Sequence, residues 1–252
     1  MSRHFGGGTL FVTPKTDAVG AALAVPTPFQ LGVLQDVSFD VEFEQKLLYG
    51  QSQFALDWAR GKGKIGIKAK NAEINFLPFA SMFLGQSATD GLYDAFVDDT
   101  GAIIPAGGVI TVVPPNGGTF FATAAVRSDI NGTPLIRVLA NPATGQYTVD
   151  NTGKFTFAAA DVGNTVYIDF MYTTATGGKI ITAANPRMGS VPSFKLALSM
   201  RRNGRVLTLE FPRCSSKKLG MSTKQEDFLI PEFDMEAIAD EVTGSPFRWS
   251  MS

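Results

Sequence analysis

Nine residues constrain this chain more than any others. From Asp36 to Glu44 the sequence reads DVSFDVEFE and alternates without a break. Val37, Phe39, Val41 and Phe43 fall on one side, and Asp36, Ser38, Asp40, Glu42 and Glu44 on the other. Side chains alternate across a strand with period two, so the run predicts a strand with one apolar and one acidic face. Residues 61–70, GKGKIGIKAK, alternate too, setting Lys62, Lys64, Lys68 and Lys70 against Ile65, Ile67 and Ala69. If the two runs pair, their polar faces form a charge ladder. Each opposed pair is worth roughly 0.2–1 kcal/mol and helps to fix the register.

The rest of the chain also reads as mainly β. The apolar segment 73–84 has helical spacing at Ile74, Leu77 and Phe83 and predicts a short buried helix, interrupted by Pro78. From 87 to 186, Gly, Pro, Thr, Val and Ala dominate. Short strand-like runs (AIIPAGGVITVVPP, TPLIRVLA, GQYTV, GKFTF, NTVYIDFMYTT) alternate there with turns such as Pro114-Pro115-Asn116-Gly117-Gly118, Asn131-Gly132 and Asn151-Thr152-Gly153. Such spacing predicts a β-sandwich of immunoglobulin-like size, inserted into a first domain. The expected division is 1–86, 87–186 and 187–252, with the first and last pieces forming one domain. FKLALSM and RVLTLEF flank Asn203-Gly204, a strong hairpin signal because both turn residues must accept positive φ. Glu232, Asp234 and Glu236 alternate with Phe233, Met235 and Ala237, predicting a second acidic-faced strand, with a helix over 234–241 left open. The Pro/Ala-rich AVGAALAVPTPF near the N-terminus reads as an arm that reaches a neighbour.

Composition narrows the function. Lys and Arg total 22 against 23 Asp and Glu in 252 residues, so the basic excess of a general nucleic-acid binder is missing. Charged residues are 18% of the chain, below the ~25% usual for soluble domains, and there are 20 Phe. A sparsely charged, Phe-rich chain near neutrality tends to associate. The one cysteine, Cys214, allows no intrachain disulfide and reads as a small buried hydrophobe, fitting synthesis in a reducing cytoplasm. No signal peptide is expected, and the apolar run Ile74–Gly85 is too short to span a bilayer. The sequon Asn131-Gly132-Thr133 then has no glycosylation role.

No catalytic constellation emerges. Gly61-x-Gly63-x-x-Gly66 matches a dinucleotide fingerprint by letter, yet Lys/Ile alternation continues through it, where a phosphate site needs a helix start. Ser215-x-x-Lys218 lacks companion motifs and reads as a basic turn. The only histidine is His4, and one His with one Cys fills neither a triad nor a zinc site. Asp98-Asp99 and Glu226-Asp227 are adjacent acids, which point to opposite faces of a strand. The expectation is a protein that is not an enzyme and has no metal and no cofactor.

Three blocks in order carry a family resemblance. VSFDVEFEQKLLYGQSQFALDWARGKGKIGIKAKNAEI resembles the N-terminal core of the tail tube proteins of long-tailed bacteriophages. The stretch with Tyr147, Phe155, Phe157, AAADVG and YIDFMYTT resembles the immunoglobulin-like segment found within many of them. GRVLTLEFPRCSSKKLG with TKQEDFLIPEFDMEAIAD resembles their C-terminal block. The resemblance implies a β-sandwich or barrel core flanked by a short helix, with an inserted immunoglobulin-like sandwich. It implies hexameric rings stacked into a tube, through which the genome passes without specific binding. The expected partners are the chain itself and tail proteins such as tape measure, terminator and distal tail protein. The expected location is the virion tail, after synthesis in the host bacterial cytoplasm. A channel for DNA should repel phosphate, so either Asp40, Glu42 and Glu44 or Glu232, Asp234 and Glu236 are expected to line it. Lys62, Lys64, Lys68 and Lys70 are expected in the charge ladder or at a subunit contact. The alternatives are a surface- or carbohydrate-binding module, for which Tyr93, Phe120 and Phe121 are the candidate exposed aromatics although a core position is the first expectation for them, and a tail terminator or decoration protein.

Overall fold

The computed structural model describes residues 8–73, 76–129, 132–222, 225 and 228–252, and it is mainly β. In chain order, β1 (Thr9–Pro14), β2 (Phe29–Gln30), β3 (Leu34–Tyr49) and β4 (Ala55–Asn71) precede a helical turn, α1 (Phe76–Phe79), which runs into a π turn (Ala80–Leu84). Next come β5 (Thr89–Phe96), β6 (Ala102–Ile103), β7 (Val109–Thr111), β8 (Thr119–Arg127), β9 (Ile136–Arg137), β10 (Gln146–Val149), β11 (Lys154–Phe157) and β12 (Thr165–Ile180). The last four are β13 (Phe194–Arg202), β14 (Arg205–Gly220), β15 (Glu232–Ala237) and β16 (Arg248–Met251). The chain divides into two compact units, Met1–Ala88 with Ile181–Ser252, and Thr89–Ile180. The composition shift sets its boundaries after residues 86 and 186, where this division has them after 88 and 180.

The first unit is built on one antiparallel sheet, in the order β2-β1-β13-β14-β15-β4-β3, with β16 added on β14. Its core is the apolar side of the alternating strands. Leu10, Val12, Ile67, Phe194, Leu196, Phe211, Phe233 and Met235 are all buried there. The β13–β14 hairpin turns at Asn203 and Gly204, with φ of 49° and 78°, the left-handed pair that an Asn-Gly turn supplies. β15 stays extended through Ala237, so the helix left open over 234–241 does not form there.

Two expectations need correction. The helical segment covers 76–84 but buries Phe79, Ala80 and Met82, while Leu77 is 51% exposed. α1 stays four residues long and the chain passes into π hydrogen bonding, which changes the buried face. Phe79 and Phe83 then lie against Phe233, with ring centroids 5.1 and 5.7 Å away. Ile74 lies outside the described residues. The N-terminal connector is not a free arm through residue 23. Lys15 N and Thr16 N donate to Ser193 O, Ala18 N to Gly85 O, and Leu23 N to Lys15 O. The Asp17 carboxylate accepts from Val19 N and Ala21 N, closing a tight turn. Gly85, at φ 60°, ends the π turn, and a Cβ there would run into the backbone of Asp17 and Ala18.

The second unit holds two four-stranded sheets. One has the order β7-β11-β10-β9; in the other β12 pairs with β5, β6 and β8. They share one core, to which Tyr147, Phe155 and Phe157 come from the first sheet and Ile168, Phe170 and Tyr172 from β12. β5 and β8 carry no turn-bounded alternation and were not legible as strands. Asp98 is buried, which pushes its carboxyl up, but hydrogen bonds from Gly101 N, Ile168 N and Thr100 outweigh this and hold it below the usual range. It ties the start of the β5–β6 turn to β12, a structural task.

Candidate assembly surface

β3 and β4 form one long antiparallel hairpin, and its two halves have different surroundings. In the half near residues 36–41 and 65–70, the partners are Val37↔Ala69, Phe39↔Ile67 and Val41↔Ile65. β15 extends the sheet there, with Phe233↔Ala69 and Met235↔Ile67. The ring of Phe39 packs edge-on to Phe211 and Trp249. Past Phe43 the register shifts, because two residues of β4, Gly61 and Lys62, answer Glu44 of β3 between Phe43↔Gly63 and Gln45↔Arg60. Gly63 leaves room for the Phe43 ring, since a Cβ there would stand 2.9 Å from it. The Arg60 guanidinium lies 4.4 Å from the centre of the same ring.

Beyond this bulge the ribbon is bare. Among the described residues, β4 from Ala55 to Lys64 pairs with β3 alone, and no strand adds to the outer edge of β3. Every residue from Asp40 to Lys64 is exposed. The cross-strand pair Leu47↔Trp58 sets one face, with Tyr49, and Leu48↔Asp57 sets the other. Leu48 is 62% exposed, Trp58 62%, Leu56 70% and Phe54 83%. The sequence reading missed this extension. Its signal was present, as six large apolar residues within a dozen around Gly50-Gln51-Ser52-Gln53, but alternation fails there and period alone does not find it.

Between β3 and β4, opposite charges face one another at Asp36↔Lys70 and Glu42↔Lys64. Asp36↔Lys70↔Glu232, Ser38↔Lys68↔Asp234 and Asp40↔Gly66↔Glu236 form three rows across β3, β4 and β15, and Glu42 faces Lys64. Residues opposite one another share a face, so the two acidic sets, taken from sequence as alternatives, stand on the same side of one sheet with lysines between them. Lys70 Nζ lies 2.9 Å from Glu232 Oε1, and Lys217 is ion-paired with Glu236. The Lys70–Glu232 hydrogen bond holds the Glu232 carboxyl below its usual range and Lys70 above its own. Lys62 and Glu44 lie at the bulge, outside the paired rows. The face is therefore mixed rather than acidic.

The other sequence candidates fall into place as structure. Gly61, Gly63 and Gly66 lie inside β4, with no helix starting at them. Ser215 to Lys218 is not a turn but part of β14, drawn out by pairing with β15 (Ser215↔Glu236, Lys218↔Asp234). His4, Asn131 and the Glu226-Asp227 pair lie outside the described residues. Cys214 is fully buried, and burial pushes its thiol up to about 12. It sits beside a cleft of about 480 Å³ whose lining includes Thr16, Ser190, Ser193, Arg213 and Ser215. Among the described residues, no group of three or more His, Cys, Asp or Glu could hold a metal ion, and no helix is long and apolar enough to cross a membrane. Of the three aromatics named in the second unit, Phe120 packs into the core. Tyr93 and Phe121 are exposed and meet edge to face at 5.2 Å. Phe121 stands where the β8–β12 register shifts, a bulge that re-aims its side chain. No protein-family model and no curated protein sequence matches the chain.

Proposed function

We propose that this protein is a structural subunit that assembles with copies of itself, as the subunit of a phage tail tube of stacked rings. The bare half of the β3–β4 hairpin carries the reading. An isolated two-stranded ribbon is marginal in water, and open strand edges invite pairing. This ribbon adds a run of large apolar side chains to its open edges. A second copy is the partner that suits a chain of near-zero net charge. Head-to-tail contacts that close give rings, and rings that stack give a tube.

In this reading the laddered face of β3, β4 and β15 lines the channel. Lysines alone would hold phosphate; closed in rows by Asp36, Asp40, Glu42, Glu232, Asp234 and Glu236, they leave no strong attraction for a passing polyanion. The second unit, with its two sheets on one core, is the immunoglobulin-like decoration on the outside. Tail proteins such as tape measure, terminator and distal tail protein are the remaining partners, and the role is mechanical rather than catalytic. The exposed Tyr93–Phe121 pair favours a second reading, in which the second unit binds a surface or a carbohydrate.

Negative-stain electron microscopy over a concentration series tests the main reading. Open tubes of uniform width with a central channel are expected. Monomers at every concentration, and also after co-expression with the other tail proteins, would overturn it.

A further inference from the structure

Asp98, Asp161 and Asp169 of the second unit are all largely withdrawn from solvent, and they are not equally provided for. The carboxylate of Asp98 accepts from four donors, Thr100 N, Thr100 Oγ1, Gly101 N and Ile168 N. Asp169 is ion-paired with Arg127 at 2.9 Å. Asp161 is the most buried of the three, at 4% exposure. Its Oδ2 accepts from Gly145 N at 2.9 Å, and no other described residue donates to the carboxylate. Buried carboxylates are normally paired or fully hydrogen-bonded, because an unpaired desolvated charge is costly. Asp161 ends a single 3₁₀ turn (Ala159–Asp161). It lines a pocket of about 130 Å³ together with Gly145 and residues at the start of β12. Ile104, Pro134, Leu135 and Val166 are the apolar part of the lining, and no lining residue is Lys, Arg or His. The pocket exceeds the roughly 10–15 Å³ that one water needs and falls short of the roughly 300–1,000 Å³ of a drug-sized ligand's site. It suits one side chain.

We propose that this pocket receives a primary ammonium group on an apolar stem, the end of a lysine side chain from a partner protein. The proposal concerns the second unit alone and does not depend on self-assembly. The charge calls for a cation, since a neutral ligand would leave the carboxylate desolvated and without a counter-charge. The methylenes of a lysine would lie on the four apolar residues while its ammonium meets the carboxylate, as long cationic side chains bury their stems and keep their heads in polar surroundings. A guanidinium fits less well. Its fork is made for both oxygens of a carboxylate, and Oδ2 is already held by Gly145 N. Calcium takes about six to eight oxygen ligands, and here one carboxylate stands among aliphatic walls. Water alone would reach Oδ1 but would bring no counter-charge and would wet those walls.

The test uses the full chain with n-butylammonium chloride as the probe, read by the NMR resonance of the Gly145 amide that donates to Asp161. Saturable movement of that resonance in the millimolar range is expected, the scale for a ligand of about five heavy atoms. Butan-1-ol, sodium butyrate and sodium chloride at equal concentration should not reproduce it. Asp161→Asn, whose amide oxygen can still accept from Gly145 N, should weaken binding about tenfold or more through loss of a charge-assisted hydrogen bond. Thr133→Phe, at the exposed rim, should block entry without altering the carboxylate, so the test survives if Asp161→Asn fails to fold. Nα-acetyl-lysine methylamide should bind at least as well as butylammonium, and glucosamine should not. The reverse order would assign the pocket to an amino sugar and overturn the lysine. No saturable movement, an equal response to butan-1-ol, saturation by calcium chloride in place of the amine, or unchanged binding in both variants would each overturn the proposal. Tube formation is read separately in the microscope and stands or falls apart from these outcomes.

Discussion

β3 and β4 pass through two environments without leaving their hairpin. In one half, Val37, Phe39, Ile65 and Ile67 pack against the chain's own core. In the other, Phe43, Leu47 and Trp58 stay exposed, with neighbours from the hairpin alone. The residues on the apolar face are of the same kind in both, so hydrophobicity does not separate the halves. Cover does, and cover depends on β15, β14 and β16, which reach the first half and stop. An alternating run therefore states that a face must be buried, and says nothing of which molecule buries it.

The sharpest way to break this comparison is to cut the same strand in both halves. Ile67→Ala, in the covered half, should cost about 2–5 kcal/mol in urea unfolding, through lost burial and the cavity left behind. Trp58→Ser, in the bare half, should cost the monomer less than about 1 kcal/mol, since only a cross-strand pair is lost, yet it should abolish tubes in the microscope. Equal costs in the two halves would mean that the tip is already covered within the monomer. A smaller effect is expected from limited trypsin digestion read by mass spectrometry. Monomer should be cut first after Lys46, Arg60 and Lys62, with Lys68 and Lys70 protected by β15, and assembly should slow the early cuts. The smallest effect lies in the covered half, at the Lys70–Glu232 pair. A carboxyl held below its usual range adds stability above that range and loses it as pH falls through its folded value. An NMR titration should place the Glu232 midpoint below 4.5, and Lys70→Ala should return it upward.

The legible parts of the fold were those in which local pattern and long-range packing agree. DVSFDVEFE, GKGKIGIKAK and the Asn203-Gly204 turn each specify their own geometry. The segment 76–84 shows a limit. Helical spacing pointed to Leu77, but the chain passes into a π turn after Phe79, and burial falls on Phe79 and Met82. The connector shows another, since its fixation depends on Ser193, more than 170 residues away from Thr16. The acidic sets were found, but their sharing of one face with the lysines needed the β15–β4 pairing, which no local pattern contains. The hairpin tip was missed because period two breaks at Leu47-Leu48-Tyr49, where three large apolar residues run in sequence.

The single thiol has a consequence for a protein that would be made inside one cell and used outside it. Cys214 is sealed in the core, and its pKa near 12 leaves almost no thiolate to attack a disulfide or an oxidant. With no second cysteine in the chain, no disulfide forms within one copy. The thiol of the folded subunit is thus slow to react, and a particle built from it would pass from a reducing interior to an oxidising exterior without a disulfide forming inside any one copy.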